Sequence, residues 1–485
     1  MIPTIASSPS VVVLGGGISG LAAAYRVLQR APGARVTIVE GESRLGGKIA
    51  TERGDGFLIE SGPDSFLAAK PRGVGLCEEL GLGPELQAIT PRPHRAYVLR
   101  GSRLLELPEG LTGLVPTKLG PLAKTPLLSP RGKARMALDY AIPARTDGED
   151  EPLGGFIRRR LGDEAWERLV EPLMAGIYAG DGDLLSVMAT FPQLRQGEAA
   201  HGGLIRGVLA AKAASAAGSG PAKPAFLTPR EGLGRLVERL EARLRAAGVE
   251  IRLGVPARQV RERAGGAEVV LRSGEALAAD AVIVATQAWA AGELLAGVSE
   301  PLAADLRAIP YASSAIVSLA WPQADVPRVL EAHGYLNPKV ENRAALACTW
   351  TSQKWAGRAP EGHVLMRIFI GRFGREELLA GDDSDLERIA RDEVRERLGI
   401  TAAPELARVQ RWPQGMPQFL LGHPERVARI ESEAAGIPWL AIAGNAYRGV
   451  GLPDAIASGE AAGERIAALL RRRQAGEPAG TGAGL

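Results

Sequence analysis

The feature that most constrains this chain is the stretch from Val11 to Lys48, VVVLGGGISGLAAAYRVLQRAPGARVTIVEGESRLGGK. Val11 to Leu14 are apolar and mostly β-branched, as a buried parallel strand requires. Gly15, Gly17 and Gly20 follow as G-x-G-x-x-G and open a helical run from Leu21 to Gln29. Such glycines allow a tight turn, close approach of a pyrophosphate and tight strand–helix packing, with the helix N-terminus facing the phosphates. A second apolar strand, Val36 to Val39, ends at Glu40, twenty residues past Gly20. A carboxylate there accepts hydrogen bonds from a ribose 2′-OH and repels a 2′-phosphate. Strand, helix, strand and acid stand in register, and the stretch reads as a dinucleotide-binding βαβ unit.

At 485 residues the chain is too long for one core, so two or three domains are expected. Its 58 basic and 55 acidic residues balance to +3 without long blocks of one sign, which argues against a nucleic-acid partner. Cys77 and Cys348 form no C-x-x-C and no disulfide framework, which fits a reducing cytoplasm. His94, His201, His333, His363 and His423 are scattered without ligand spacing, so no metal site is expected. No apolar stretch reaches transmembrane length, and MIPTIASSPS lacks the basic and apolar regions of a secretory signal. The expectation is a cytoplasmic protein, at most peripheral on the inner face of a membrane.

A second strand–glycine turn–helix pattern, WLAIAGNAYRGVGLPDAIASGEAAGERIAALLRR, lies at the far end of the chain. Two such elements at opposite ends imply one discontinuous nucleotide domain with others inserted, an arrangement that favours a flavoprotein over a simple dehydrogenase. The expected organisation is α/β. A Rossmann-like domain takes 1–75, 225–297 and 411–473, a mixed β-sheet substrate domain 76–107 and 298–410, and a helical domain 108–218. AVIVAT (281 to 286) is apolar throughout and should be buried in the first sheet. Residues 474–485 have nothing to bury and read as a disordered tail.

ESRLGGK (42–48), ESGPDSF (60–66) and AGNAYRGVGLPDAIASG (443–459) resemble the flavin-binding motifs of the amine-oxidase-like flavoproteins. More specifically, GPDSFLAAKP, EPLMAGIYAGD, ACTWTSQKW, APEGHVLMRIFIG and RWPQGMPQFLLGH resemble the porphyrinogen oxidases of haem biosynthesis over nearly the whole length. The resemblance implies FAD, bound non-covalently because no cysteine stands near the C-terminal motif, and O2 as electron acceptor. The expected reaction is oxidation of coproporphyrinogen III, with protoporphyrinogen IX as the alternative. Another flavin amine oxidase or desaturase, or a non-enzymatic binder like the guanine-nucleotide dissociation inhibitors, are more distant alternatives. The expected partners are the porphyrinogen substrate and the next haem-pathway enzyme, to which the product would be handed over, with monomer and homodimer both open.

Carried onto this chain, the cofactor residues are Gly15, Gly17, Ile18, Ser19 and Gly20 for the pyrophosphate, and Glu40 with Gly41 for the adenosine ribose. Arg44, Gly46, Gly47 and Lys48 flank the phosphates, and Gly62, Pro63 and Asp64 pass along the ring. Ala257 would lie by the adenine, although plain strand packing is the competing reading. Trp412, Gly444, Asn445, Gly451, Leu452 and Pro453 close the flavin end, where a helix N-terminus faces the ring. A porphyrinogen is a large apolar ring with several carboxylates, so it needs apolar walls and cations. Leu336 and Phe369 are the expected walls, Gly176 and Ile177 one edge, and Lys70, Arg95 and Arg367 the cations. No catalytic side chain is required; Asp64 is the candidate to orient or accept a pyrrole proton, against a reading as a turn cap.

Overall fold

Five parallel strands carry the nucleotide end of this computed structural model, which describes residues 8–93, 96–112, 114–145, 147–217, 224–328 and 330–475. In chain order the elements that build the site begin with β1 (Ser10–Leu14), α1 (Ile18–Arg30), β2 (Arg35–Val39) and α2 (Pro71–Glu79). β3 (Tyr97–Arg100), β4 (Arg103–Glu106), α3 (Glu171–Tyr178), β5 (Glu250–Arg252) and β6 (Ala281–Val284) follow. The last are β7 (Tyr311–Pro322), β8 (Gly334–Leu336), β9 (Ala345–Trp350), β10 (His363–Ile370), β11 (Leu406–Pro417), β12 (Leu440–Ile442) and α4 (Leu452–Gln474).

The parallel sheet has the order β5-β2-β1-β6-β12, so strands from three distant parts of the chain interleave. β6, the apolar AVIV run, pairs Val11 with Ala281 on one side and Val282 with Leu440 on the other. Alternation sends Val11 and Val13 into one core with Leu21, Val27 and Ile466. Val12 and Leu14 enter the core on the opposite face, with Val284, Leu294 and Ile430.

A second, seven-stranded sheet has the order β11-β7-β10-β9-β8-β3-β4. One face buries Met366, Ile368 and Ile370 against Leu386, Ala390 and Val394 of the helix Asp383–Leu398. The other face turns towards a helical layer whose core holds Phe156, Ile157, Trp166, Val170 and Met174.

Three of the expected domain boundaries fall inside packed units. The break at 75/76 cuts α2, whose Leu76 and Cys77 lie in the core of the nucleotide end. The break at 297/298 separates the helix Glu300–Arg307 from the sheet face that buries its Leu302 and Leu306. The break at 410/411 cuts β11, which pairs with β7 from Tyr311↔Pro417 to Ala320↔Leu406. Composition marks turns; it does not show which sheet a strand joins. Most of the expected tail, residues 476–485, lies outside the described residues. Among the described residues, no helix is long and apolar enough to cross a membrane.

Candidate active site

The nucleotide end is built from backbone. Gly15 has φ +103°, and a Cβ on it would stand 2.8 Å from the Ala285 carbonyl oxygen. A Cβ on Gly20 would stand 1.9 Å from the Gly15 oxygen, so strand and helix meet there without room for a side chain. Gly17 differs: a Cβ there would meet nothing within 4 Å. That open space lies at the N-terminus of α1, where backbone N–H groups and the helix dipole favour phosphate.

A second helix terminus joins it. α1 and α4 are in backbone contact: Cβ atoms on Gly459 and Gly463 would lie 2.1 Å from Ser19 O and 2.5 Å from Ala23 O. Those contacts advance in the same sense along both helices, so both N-termini face the same end. The Ser19 hydroxyl donates to the Ala455 carbonyl at 2.8 Å. The hydroxyl braces the helix pair, while Ile18 and Ser19 keep their backbone N–H groups in the first turn of α1.

The Glu40 carboxylate accepts from the N–H groups of Gly16 (2.6 Å) and Glu42 (2.8 Å), which fixes it at the end of β2. Gly41 packs against Pro256, and Val255 N–H donates to Glu40 O at 2.9 Å, so Ala257 stands beside this turn as expected. Gly46 (φ +101°) donates to Gly16 O at 2.8 Å, and Gly47 lies against Gly17. The Arg44 guanidinium donates to the carbonyls of Leu45, Gly47 and Ile49. Its work is to hold this loop's shape. Lys48 keeps part of its side chain accessible, yet burial of its amine pulls it down to about 8.

Gly62 fits the same pattern, since its Cβ would stand 1.9 Å from Lys48 O. Trp412 donates from Nε1 to Ser61 O at 2.7 Å and so aligns this segment from β11. At the C-terminal motif, Gly444 (φ +152°) donates to Ser458 Oγ at 3.0 Å, followed by Asn445 in a turn. Gly451 donates to the Asp454 carboxylate at 3.2 Å, and Leu452 and Pro453 open α4. His423, in the GH of RWPQGMPQFLLGH, stacks on Phe419 at 4.1 Å and donates from Nε2 to Tyr447 O at 3.0 Å. Burial pulls that imidazole down to about 4, so it stays neutral and braces the motif.

The substrate end is built from side chains. Register places Leu336 opposite Ala347, and Ala347 opposite Phe369, in one row across three strands. Leu336 and Phe369 are only partly buried, with Val450 of the C-terminal motif partly buried beside the same core. A Cβ on Gly176 would lie 3.7 Å from Leu336 Cδ2, and its neighbour Ile177 is 44 % exposed. Leu336, Phe369 and Gly176 are thus brought together and Ala347 joins them, while Ile177 keeps an exposed side chain beside Gly176. The signal for Ala347 in the sequence was only strand alternation within AALACTW.

The expected cations fare differently. Lys70 Nζ bonds Asp454 Oδ1 at 2.6 Å, so its charge is already matched. Arg367 is 1 % exposed; it donates to Gly62 O and lies 3.6 Å from the Asp64 carboxylate, with its guanidinium 5.2 Å from the Phe369 ring. It supports the Gly62 segment from beneath. Arg95 lies outside the described residues.

Asp64 is corrected as a proton acceptor. Its carboxylate accepts from Lys354 Nζ (2.9 Å), Trp355 Nε1 (3.2 Å) and Ser65 Oγ (2.7 Å). Burial alone would raise it, but Lys354 and Arg367 together hold it well below the usual carboxylate range. The same burial pulls Arg367 below its usual value. Three donors on the carboxylate favour the charged pair over proton transfer between the two. A carboxylate so stabilised is a poor base.

The glycine cradle, two helix N-termini facing the same end and the fixed acid fit a flavin dinucleotide. The model of the flavin-containing amine oxidoreductase family matches residues 18–467, and the chain belongs to that family. A flavin cofactor follows from this membership. Its relatives include porphyrinogen oxidases. The coproporphyrinogen III oxidase of Bacillus subtilis is 37% identical over 93% of this chain and 96% of its own. That of Propionibacterium freudenreichii is 38% identical over 95% and 91%. The chloroplastic protoporphyrinogen oxidase of Nicotiana tabacum is 30% identical over 95% and 86%. A crystal structure from Exiguobacterium sp. 255-15, assigned as a protoporphyrinogen oxidase, superposes with a TM-score of 0.84 at 34% identity, covering 95% of this chain and 99% of that one.

Proposed function

We propose that the protein is an FAD-dependent, oxygen-using porphyrinogen oxidase of haem biosynthesis, with coproporphyrinogen III preferred over protoporphyrinogen IX. The observation that carries this reading is the row Leu336–Ala347–Phe369, half-open and apolar, facing Gly176 and adjoining the Arg367–Gly62 contact of the flavin-side segment. It offers a large apolar macrocycle a wall beside the cofactor cradle. Identities of 37% and 38% to two coproporphyrinogen III oxidases, against 30% to a plant protoporphyrinogen oxidase, support the choice of substrate.

The chemistry that FAD supplies when bound is two-electron oxidation, with O2 reduced to H2O2, repeated three times per macrocycle. The protein's own contribution is to bind, align and exclude. Gly17 and the α1 terminus take the pyrophosphate, and Glu40 takes the ribose hydroxyls. Both cysteines are buried, and burial pushes the Cys77 thiol up to about 12 and raises Cys348 also. Neither is available to tether the cofactor, which supports non-covalent FAD.

The test is oxygen uptake by the purified, flavin-loaded protein on both porphyrinogens, without NAD(P)H. We expect peroxide formation and the higher kcat/KM on coproporphyrinogen III. The reverse preference overturns the substrate; a colourless protein that takes up no FAD overturns the whole reading.

A further inference from the structure

β8 and β10 both pair antiparallel with β9, so they run the same way and leave the sheet at one edge. Three residues past Leu336 the chain reaches Lys339, and three past Phe369 it reaches Arg372, with Arg375 next along. Arg343 precedes β9 at that same edge. These four side chains, with Asp181 from beyond α3, line a cavity of about 160 Å³.

The cavity and the apolar row are held by one element. Glu171, the first residue of α3, accepts from Lys339 N–H at 2.9 Å and from Arg372 Nη1 at 3.0 Å. Phe373 N–H donates to Ala179 O, just past α3, at 2.8 Å. The same helix carries Gly176 against Leu336, so row and cavity keep a fixed spacing. Three residues of chain span at most about 10 Å, which places the cavity within a macrocycle's reach of the row.

Of the ten lining residues, four are cationic and one is acidic. Lys339 Nζ donates to the lining Asp181 at 2.8 Å, a partner it would exchange for a substrate acid, whereas the acids that bond Arg372, Arg375 and Arg343, namely Glu171, Glu377, Glu393 and Glu396, are not in the lining. The lining thus holds more cations than acids, and each arginine has more N–H donors than its acid partners use, a composition that suits carboxylates. We infer that this cavity is a subsite for a carboxylate chain of the substrate, with Lys339 and Arg375 as its outer cations. The inference rests on the porphyrinogen reading above. It favours a tetracarboxylate, whose acid chains ring the macrocycle, over a dicarboxylate with acids on one side only.

The experiment pairs Lys339→Met and Arg375→Met in the full-length, flavin-loaded protein. Both residues are well exposed, so Arg372 and Glu171 keep the rim in place. KM for coproporphyrinogen III should rise about tenfold per lost contact, and for protoporphyrinogen IX about threefold or less. Lys339→Arg with Arg375→Lys should restore most of it, and coproporphyrin III binding, followed by fluorescence quenching, should weaken in parallel. Turnover of coproporphyrinogen III with an unchanged KM, or equal losses on both substrates, would overturn the subsite while leaving the oxidase standing. A wild-type protein that oxidises neither porphyrinogen ends both readings.

Discussion

The two ends of the candidate site are made of different material. At the nucleotide end the contacts are backbone: Gly15, Gly20, Gly46 and Gly62 are glycines because carbonyl oxygens or side chains occupy the space a Cβ needs. At the substrate end the surface is side chain, assembled from Gly176, Leu336, Ala347 and Phe369 on four separate elements. The backbone end tolerates almost no variation at its glycines, whereas the side-chain end can be retuned one residue at a time.

The sharpest way to break that comparison is to add one methyl group at two neighbouring glycines. Gly20→Ala forces a Cβ to within 1.9 Å of Gly15 O. It should cost about 3 kcal/mol or more with and without flavin. Gly17→Ala meets no protein atom within 4 Å and sits at an ordinary φ of −69°. Its apoprotein should melt within about 0.5 kcal/mol of wild type, while flavin retention falls. Thermal melts of apo- and holoprotein separate the two. If Gly17→Ala keeps its flavin as tightly as wild type, the open space is not where the phosphates lie.

This contrast also decides what a sequence can disclose. Gly15, Gly17, Gly20 and Glu40 were legible because a turn, a close approach and an acid at a strand end are local demands, written as spacing. The pairing Leu336–Ala347–Phe369 depends on strand register, so Ala347 carried no mark of its own. Asp64 and Lys354 lie 290 residues apart and meet only through the fold. Arg367 reads as a free cation in RIFIG, but burial under Gly62 makes it part of the scaffold. Ser19 and Lys70 carry no sign of their resting partners for the same reason: each is engaged by a residue of α4, some four hundred positions away.

The charge cluster where the two ends join gives the next largest effect. Lys354→Met leaves the Asp64 carboxylate with Arg367 as its remaining cation inside the protein. Stranding one partner of a buried pair should cost about 2–4 kcal/mol at neutral pH. The folded Asp64 carboxyl lies below its unfolded value, so its stabilisation is complete above about pH 4 and is lost as pH falls through the folded value. Wild type and variant should therefore differ most at neutral pH and converge under acid. Melting curves from neutral to strongly acidic pH check this. A gap that stays constant would place the cost in packing, and the join would then be no different in kind from the apolar row.

The smallest effect sharpens the substrate end. Lys70 is a surface cation, its side chain 45 % exposed, and its ammonium is matched by Asp454 in the first turn of α4. Such a pair contributes about 0–1 kcal/mol. Lys70→Met should leave the melting temperature nearly unchanged, and flavin content likewise, because Asp454 still accepts from Gly451 N–H. If the ammonium stays with Asp454 during turnover, KM for coproporphyrinogen III should change about twofold at most. A KM rise of about tenfold or more, with stability unchanged, would mean that Lys70 leaves Asp454 for the substrate's acid chain. In that case the expected cation was right about its role and wrong only about its resting partner, and the substrate end would be built partly by motion.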